Sequence, residues 1–177
     1  MAGKSKGKGS GNRQAAERIP APSVAASAWL TKPVVHLLIV AILAILIYAN
    51  TLHAPFVLDD LRVIVNNPAI RDLDRLFDPQ WMYGNRYVGL LSFALNHEIH
   101  GLGVAGYHAV NLLVHLLAAL SVYWLLVLTF QTPLASAALQ GDGANGPGLR
   151  RWIPLFTALL FVSHPIQTQA VVYIVQR

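Results

Sequence analysis

Two adjacent carboxylates, Asp59 and Asp60, follow the apolar run Pro55-Phe56-Val57-Leu58 just past a strongly apolar stretch. Acids are costly within hydrocarbon, so a pair at its edge points to chemistry or binding. A carboxylate there can take a proton from an acceptor hydroxyl, hold a cation, or pair with a basic side chain such as Arg62 or Arg86. Consecutive helical residues project about 100° apart, so the two acids cannot share one helix face and should serve different roles. The plainer alternative is a solvated Asp-Asp pair capping the next turn.

The histidines offer less. His97-Glu98-Ile99-His100 sets its histidines three apart, whereas the helical zinc motif needs four. His108, Asn111 and His115 fall at i, i+3 and i+7 on one helix side, a pattern that fits interhelical hydrogen bonding first and a substrate-facing role second. His36 reads as structural. Gly101-Leu102-Gly103-Val104-Ala105-Gly106 has the spacing of a dinucleotide loop but follows no strand, so it holds no phosphate. A nucleophile elbow for Ser-His-Asp hydrolysis is missing, and with no cysteine in the sequence there are no disulfides, thiolate nucleophiles or cysteine-held zinc.

The elements that must position these residues are apolar. Hydrophobic residues make up 55% of the 177 and charged ones only 12%. With a mean hydropathy of +0.49, that composition places the chain among integral membrane proteins and predicts an all-α fold. The positive charge (+5) would suit nucleic acid in a soluble protein. Here it gathers at one end, in Lys4, Lys6, Lys8, Arg13, Arg18 and Lys32, so no nucleic-acid partner is expected.

Residues 1–27, rich in Gly, Ser, Ala and Lys, read as a disordered basic cytoplasmic tail, leaving residues 28–177 as part of a multi-helix membrane domain. A first span is expected over about 33–52, with Pro33 in the opening turn; a cleaved signal segment is the less favoured reading. A second span is expected over about 107–130. Gln131 to Gly148 reads as a loop on its breaker cluster Gln-Gly-Asp-Gly-Ala-Asn-Gly-Pro-Gly. The third span, about 152–175, is interrupted by Ser163-His164-Pro165. A kinked or broken helix is therefore expected, its freed carbonyls turned toward protein or a cavity.

The long loop, about 53–106, holds Asp59, Asp60, Asp72, Asp74, Asp78 and Glu98, six of the chain's eight acids. Arg62 to Asn67 should form a short helical turn closed by Asn66-Asn67-Pro68. Val88 to His100 should form an interfacial helix, with Leu91, Leu95 and Ile99 in one row and Ser92, Asn96 and His100 in a polar stripe beside it. The distribution of Lys and Arg predicts a cytoplasmic amino terminus and puts the acidic loop on the other side.

Several short motifs stand in one order along the chain. They are Tyr48-Ala49-Asn50, Phe56-Val57-Leu58-Asp59-Asp60, Asn66-Asn67-Pro68, Arg86-Tyr87 with Leu91-Ser92-Phe93-Ala94-Leu95-Asn96, Gly106-Tyr107-His108 with Val110-Asn111-Leu112-Leu113, and Leu160-Phe161 with His164-Pro165-Ile166-Gln167-Thr168. In this order, over roughly residues 45–177, the chain resembles the start of the transmembrane and tetratricopeptide-repeat mannosyltransferases and their bacterial relatives. That family is similar in architecture to the C-type glycosyltransferases, so the resemblance implies a bacterial inner-membrane enzyme and a polyprenyl-phosphate sugar donor. A protein or lipid-linked glycan hydroxyl would be the acceptor and membrane lipid the surroundings.

The resemblance makes Asp59 the catalytic base of an inverting transfer, with Asp60 assisting. Arg86 and Arg177 become candidates for stabilising the leaving lipid phosphate, and His108 and His164 further substrate-binding candidates. A divalent cation is a conceivable cofactor. After His164-Pro165 the animal relatives tend to carry an acid near the position held here by Gln169. Enzymes of this architecture have many more than three spans, which implies a truncated N-terminal piece without turnover of its own. The competing expectations are a non-catalytic membrane assembly subunit and a transporter fragment with a broken helix.

Overall fold

The computed structural model describes residues 29–77, 86–140 and 146–176, and every regular element among them is helical. The tail 1–27, the segment 78–85, the cluster 141–145 and Arg177 lie outside the described residues. Helix α1, Pro33–Tyr48, opens with Pro33 in its first turn and tightens into a 3₁₀ segment, Ala49–His53. The acidic loop then makes a single wide turn, Leu61–Val65, a 3₁₀ turn, Pro68–Arg71, and a short α2, Leu73–Leu76. Asn67 caps the 3₁₀ turn by accepting from Ala69 N at 3.0 Å, which agrees with the helical turn expected over Arg62–Asn67 and its Asn-Asn-Pro stop. Helices α3, Tyr87–His100, and α4, Val104–Thr129, follow. The order closes with α5, Pro133–Gln140, α6, Gly146–Ser163, α7, Gln167–Val172, and a 3₁₀ turn, Ile174–Gln176.

By length and composition, Pro33–His53 and Val104–Thr129 can each cross a bilayer. They pack with α6 around Val40 and Ala44 of α1, Ala119 and Tyr123 of α4, and Leu155, Ala158 and Val162 of α6. Ala44, Ala119 and Ala158 are fully buried, and such small side chains let helices approach closely where no water drives them together. The opposite faces stay apolar: Leu38, Ile42 and Leu46 on α1, and Leu117, Leu125 and Leu128 on α4, are exposed. An outward apolar face suits lipid, which makes this an all-α membrane protein.

A second core forms where the acidic loop meets the bundle, from Ile64, Ile70, Phe93, Ala94, Tyr107 and Ile174. Helix α3 turns Phe93, Ala94 and Asn96 inward and leaves Val88, Leu95 and Ile99 exposed. Of the expected apolar row, Leu95 and Ile99 face outward while Leu91 packs against the loop core, and Asn96 of the polar stripe is buried, because the loop core selects the Phe93 side.

One difference from the sequence reading has a local cause, and one expectation is met at a single residue. The stretch expected to be a loop from Gln131 to Gly148 contains α5 and the first turn of α6, because Pro-Leu-Ala-Ser-Ala-Ala-Leu-Gln puts proline in the first turn ahead of good helix formers. The third apolar stretch is two pieces, α6 ending at Ser163 and α7 starting at Gln167. Proline at 165 has no N–H to continue the ladder, and the Ile166 N–H goes instead to His164 Nδ1 at 3.3 Å. The carbonyl of Val162, freed by this break, accepts from the Tyr48 hydroxyl at 3.3 Å and lies 3.4 Å from His115 Nε2. Freed backbone is therefore met by protein, as expected of a broken helix at membrane depth.

Candidate functional site

The acidic pair sits on a tight bend. Leu58 has φ of 48° and its side chain is exposed, an uncommon backbone state for a residue with a branched side chain. Behind it, Asp60 N donates to Val57 O at 3.0 Å and Leu61 N to Leu58 O at 3.2 Å. Phe56 anchors the approach, edge-on to Tyr107 with ring centroids 5.3 Å apart. The bend separates the two acids: Asp59 is exposed and Asp60 is 1% exposed.

Asp60 uses both oxygens on backbone. Its Oδ1 accepts from Val175 N at 2.9 Å and its Oδ2 from Val57 N at 3.2 Å. Arg86 donates through Nη2 to Val175 O at 2.6 Å. Asp60 and Arg86, one of the pairings open to the acidic pair, thus meet on the two backbone groups of one buried residue instead of on each other. Asn111 continues the same fastening, its Nδ2 lying 3.3–3.4 Å from the carbonyl oxygens of Val171, Tyr173 and Ile174. His108 places Nε2 3.0 Å from Ala54 O, while its buried Nδ1 has no hydrogen-bond partner among the described residues. The His108, Asn111 and His115 stripe therefore binds carbonyls of neighbouring segments, as its helical spacing led us to expect.

One cavity borders Val175 and a second borders its partner Arg86. The first, of about 150 Å³, is lined by Leu58, Asp59, Gln169, Tyr173, Val175 and Gln176. The other, of about 320 Å³, is lined by Arg62, Val63, Asn67, Arg86, Gly89, Leu90 and Phe93. A carboxylate in one can take a proton and two arginines lining the other can hold an anion, and Arg86 of the second bonds to Val175 of the first. Gln169 shares the Asp59 cavity, so the amide at that position stands beside the acid.

The other residues singled out from sequence lie elsewhere. His164 is exposed and lines an apolar groove of about 360 Å³ with Val122, Leu160, Phe161 and Ile166. Arg177 falls outside the described residues. Among the described residues, no three of His, Asp or Glu gather closely enough to hold a metal ion. His36 bonds to the Tyr123 hydroxyl at 3.1 Å within the bundle, a structural contact. Sequence reasoning named Tyr48 and Asn67 in motifs without a site role and missed Tyr173 and Gln176. Their partners are backbone atoms or cavity walls more than a hundred residues away in several cases, and no local spacing reports that.

The fold and site define a class: a helical membrane bundle that presents an exposed carboxylate at the end of its spans, walled by a segment from the far end of the chain. The chain is 33% identical over 79% of its length to mouse "Protein O-mannosyl-transferase TMTC2", covering 16% of that protein. It is 33% identical over 76% of its length to Drosophila melanogaster "Protein O-mannosyl-transferase Tmtc1", covering 15%, and 29% identical over 80% to Caenorhabditis elegans "Protein O-mannosyl-transferase F38B6.6", covering 20%. The chain is thus related to the protein O-mannosyl-transferases, the family its motifs resemble, and it spans a fifth or less of the length of these curated relatives. No family model and no solved structure matches it.

Proposed function

We propose that this chain forms the acidic end of an integral membrane glycosyltransferase that moves a sugar from a polyprenyl-phosphate donor to a hydroxyl of a protein or lipid-linked glycan. The amino terminus lies in the cytoplasm in this reading, and Asp59 faces the opposite side. The supporting observation is the split of the acidic pair: Asp59 is exposed in a cavity, while Asp60 is consumed by two backbone N–H groups. Of the two, only Asp59 is free to meet an acceptor.

In the transfer, Asp59 takes the acceptor's hydroxyl proton while that oxygen attacks the anomeric carbon. The bond from that carbon to the donor phosphate oxygen breaks on the opposite face, with inversion. The electron pair of the broken bond stays on the lipid phosphate. Arg62 and Arg86 line the cavity suited to that charge, and one bond from Arg86 to Val175 leaves further N–H donors on its guanidinium. Arg177 is a further candidate cation for the same phosphate. His164, which lines an apolar groove, would meet a lipid-borne donor in this reading; His108 instead holds the loop at Ala54.

Membranes carrying the protein at the full length of its relatives test the reading. Supplied with a polyprenyl-phosphate mannose and a hydroxyl-bearing acceptor peptide, they should form a product of inverted anomeric configuration. Transfer from a nucleotide sugar alone, or a retained configuration, contradicts it.

A further inference from the structure

Residue Val175 is 4% exposed and lies within a 3₁₀ turn of three residues, Ile174–Gln176. A turn that short cannot satisfy its own N–H and C=O groups, and buried backbone groups left unpaired are costly. Both groups of Val175 find side chains from the acidic loop: the N–H donates to Asp60, 115 residues earlier in the chain, and the C=O accepts from Arg86, 89 residues earlier. Asp60 also accepts from Val57 N, at the root of the bend that carries Asp59. One carboxylate therefore ties the bend and the far segment to each other.

From this geometry we infer that Asp60 and Arg86 are positioning residues, a two-point clamp on Val175 that closes the Asp59 cavity by holding Tyr173 to Gln176 against Leu58 and Asp59. The purpose of the clamp rests on the reading of Asp59 as the base; the clamp itself stands on hydrogen bonds. The cavity wall is borrowed from a segment that Asn111 also holds, through the carbonyls of Tyr173 and Ile174, so the clamp sets its fit against the bend. Of the six residues lining the Asp59 cavity, Gln169, Tyr173, Val175 and Gln176 come from α7 and the turn after it, so release of Val175 opens the cavity.

The sequence contains no cysteine, so an engineered pair reports on this closure alone. Leu58→Cys with Gln176→Cys places one thiol on each side of the cavity in membranes carrying the protein. A short bis-thiol reagent should cross-link the pair. Adding Asp60→Asn should cut the yield at least about fivefold at unchanged helix content. Val175→Pro takes away the N–H that Asp60 receives, while also fixing the backbone there, and should cut the yield similarly; the double variant should lose less than the sum of the two, because both changes share the Asp60–Val175 bond. In the transfer assay the same two changes should lower kcat together and non-additively. An undiminished cross-link in Val175→Pro, additive losses, or collapse of helix content in either variant overturns the clamp. Cross-linking reads geometry without turnover, so its failure is separable from failure of the transferase reading.

Discussion

Asp60 Oδ1 stands 2.9 Å from the backbone nitrogen of Val175, although 115 residues separate them. The contact converts one member of an apparently paired motif into a structural fastener and leaves Asp59 as the acid that faces outward. It also sets which changes should harm folding and which should harm chemistry alone.

Asn111 should matter to stability more than its single amide implies. Its Nδ2 serves the carbonyl oxygens of Val171, Tyr173 and Ile174, and the residue is 2% exposed. Asn111→Leu leaves those carbonyls short of a donor, at a cost of about 1–3 kcal/mol. Denaturant titration in detergent micelles, followed by helix signal, should show the midpoint fall, whereas an unchanged midpoint means that the carbonyls find other partners.

The broken helix predicts a coupled pair. Tyr48→Phe removes the hydroxyl from the Val162 carbonyl but leaves His115 beside it, so the loss should be about 1 kcal/mol. Tyr48→Phe with His115→Leu strips both donors, and the combined loss should exceed the sum of the single losses. Strict additivity in thermal unfolding argues against a shared carbonyl.

Gly106 is a packing requirement. A Cβ there would lie 2.6 Å from Cγ of His100, whose Nδ1 sits 3.4 Å from Asn96 Nδ2. Gly106→Ala should displace the ring, break that contact and destabilise the α3–α4 corner by about 1–3 kcal/mol. Retained stability with His100 still beside Asn96 contradicts the tight fit.

Topology gives a prediction independent of chemistry. A reporter active only outside the cytoplasm should be silent when fused after Gly141 and active when fused after Phe77. The reverse pattern puts Asp59 on the wrong side for a lipid-borne sugar donor carried there.

Much of this was legible in the sequence, for reasons specific to each element. The run Val34 to Ala49 pointed to a bilayer span because it is apolar almost all round, and its outward side, Leu38, Ile42 and Leu46, stays exposed in the bundle. Pro165 announced the break, since a missing N–H is a property of one residue. The spacing of His108, Asn111 and His115 showed one polar face, but their partners are carbonyls of Ala54, Val171 and Val162, and backbone atoms leave no mark in side-chain patterns. Asp60 was hidden for the same reason: adjacency to Asp59 is visible, while burial against Val175 depends on a fold closed over more than a hundred residues. Helix α5 was masked by its neighbour, because the Gly-rich cluster drew the whole stretch into one loop.

The most direct test is Asp59→Asn in the complete protein, assayed for sugar transfer from a polyprenyl-phosphate donor. Asp59 is exposed, so the substitution should leave the unfolding midpoint within about 0.5 kcal/mol of the parent, and loss of the base should lower kcat by about 10²–10⁴-fold. Parent-level transfer by a folded Asp59→Asn protein contradicts the account.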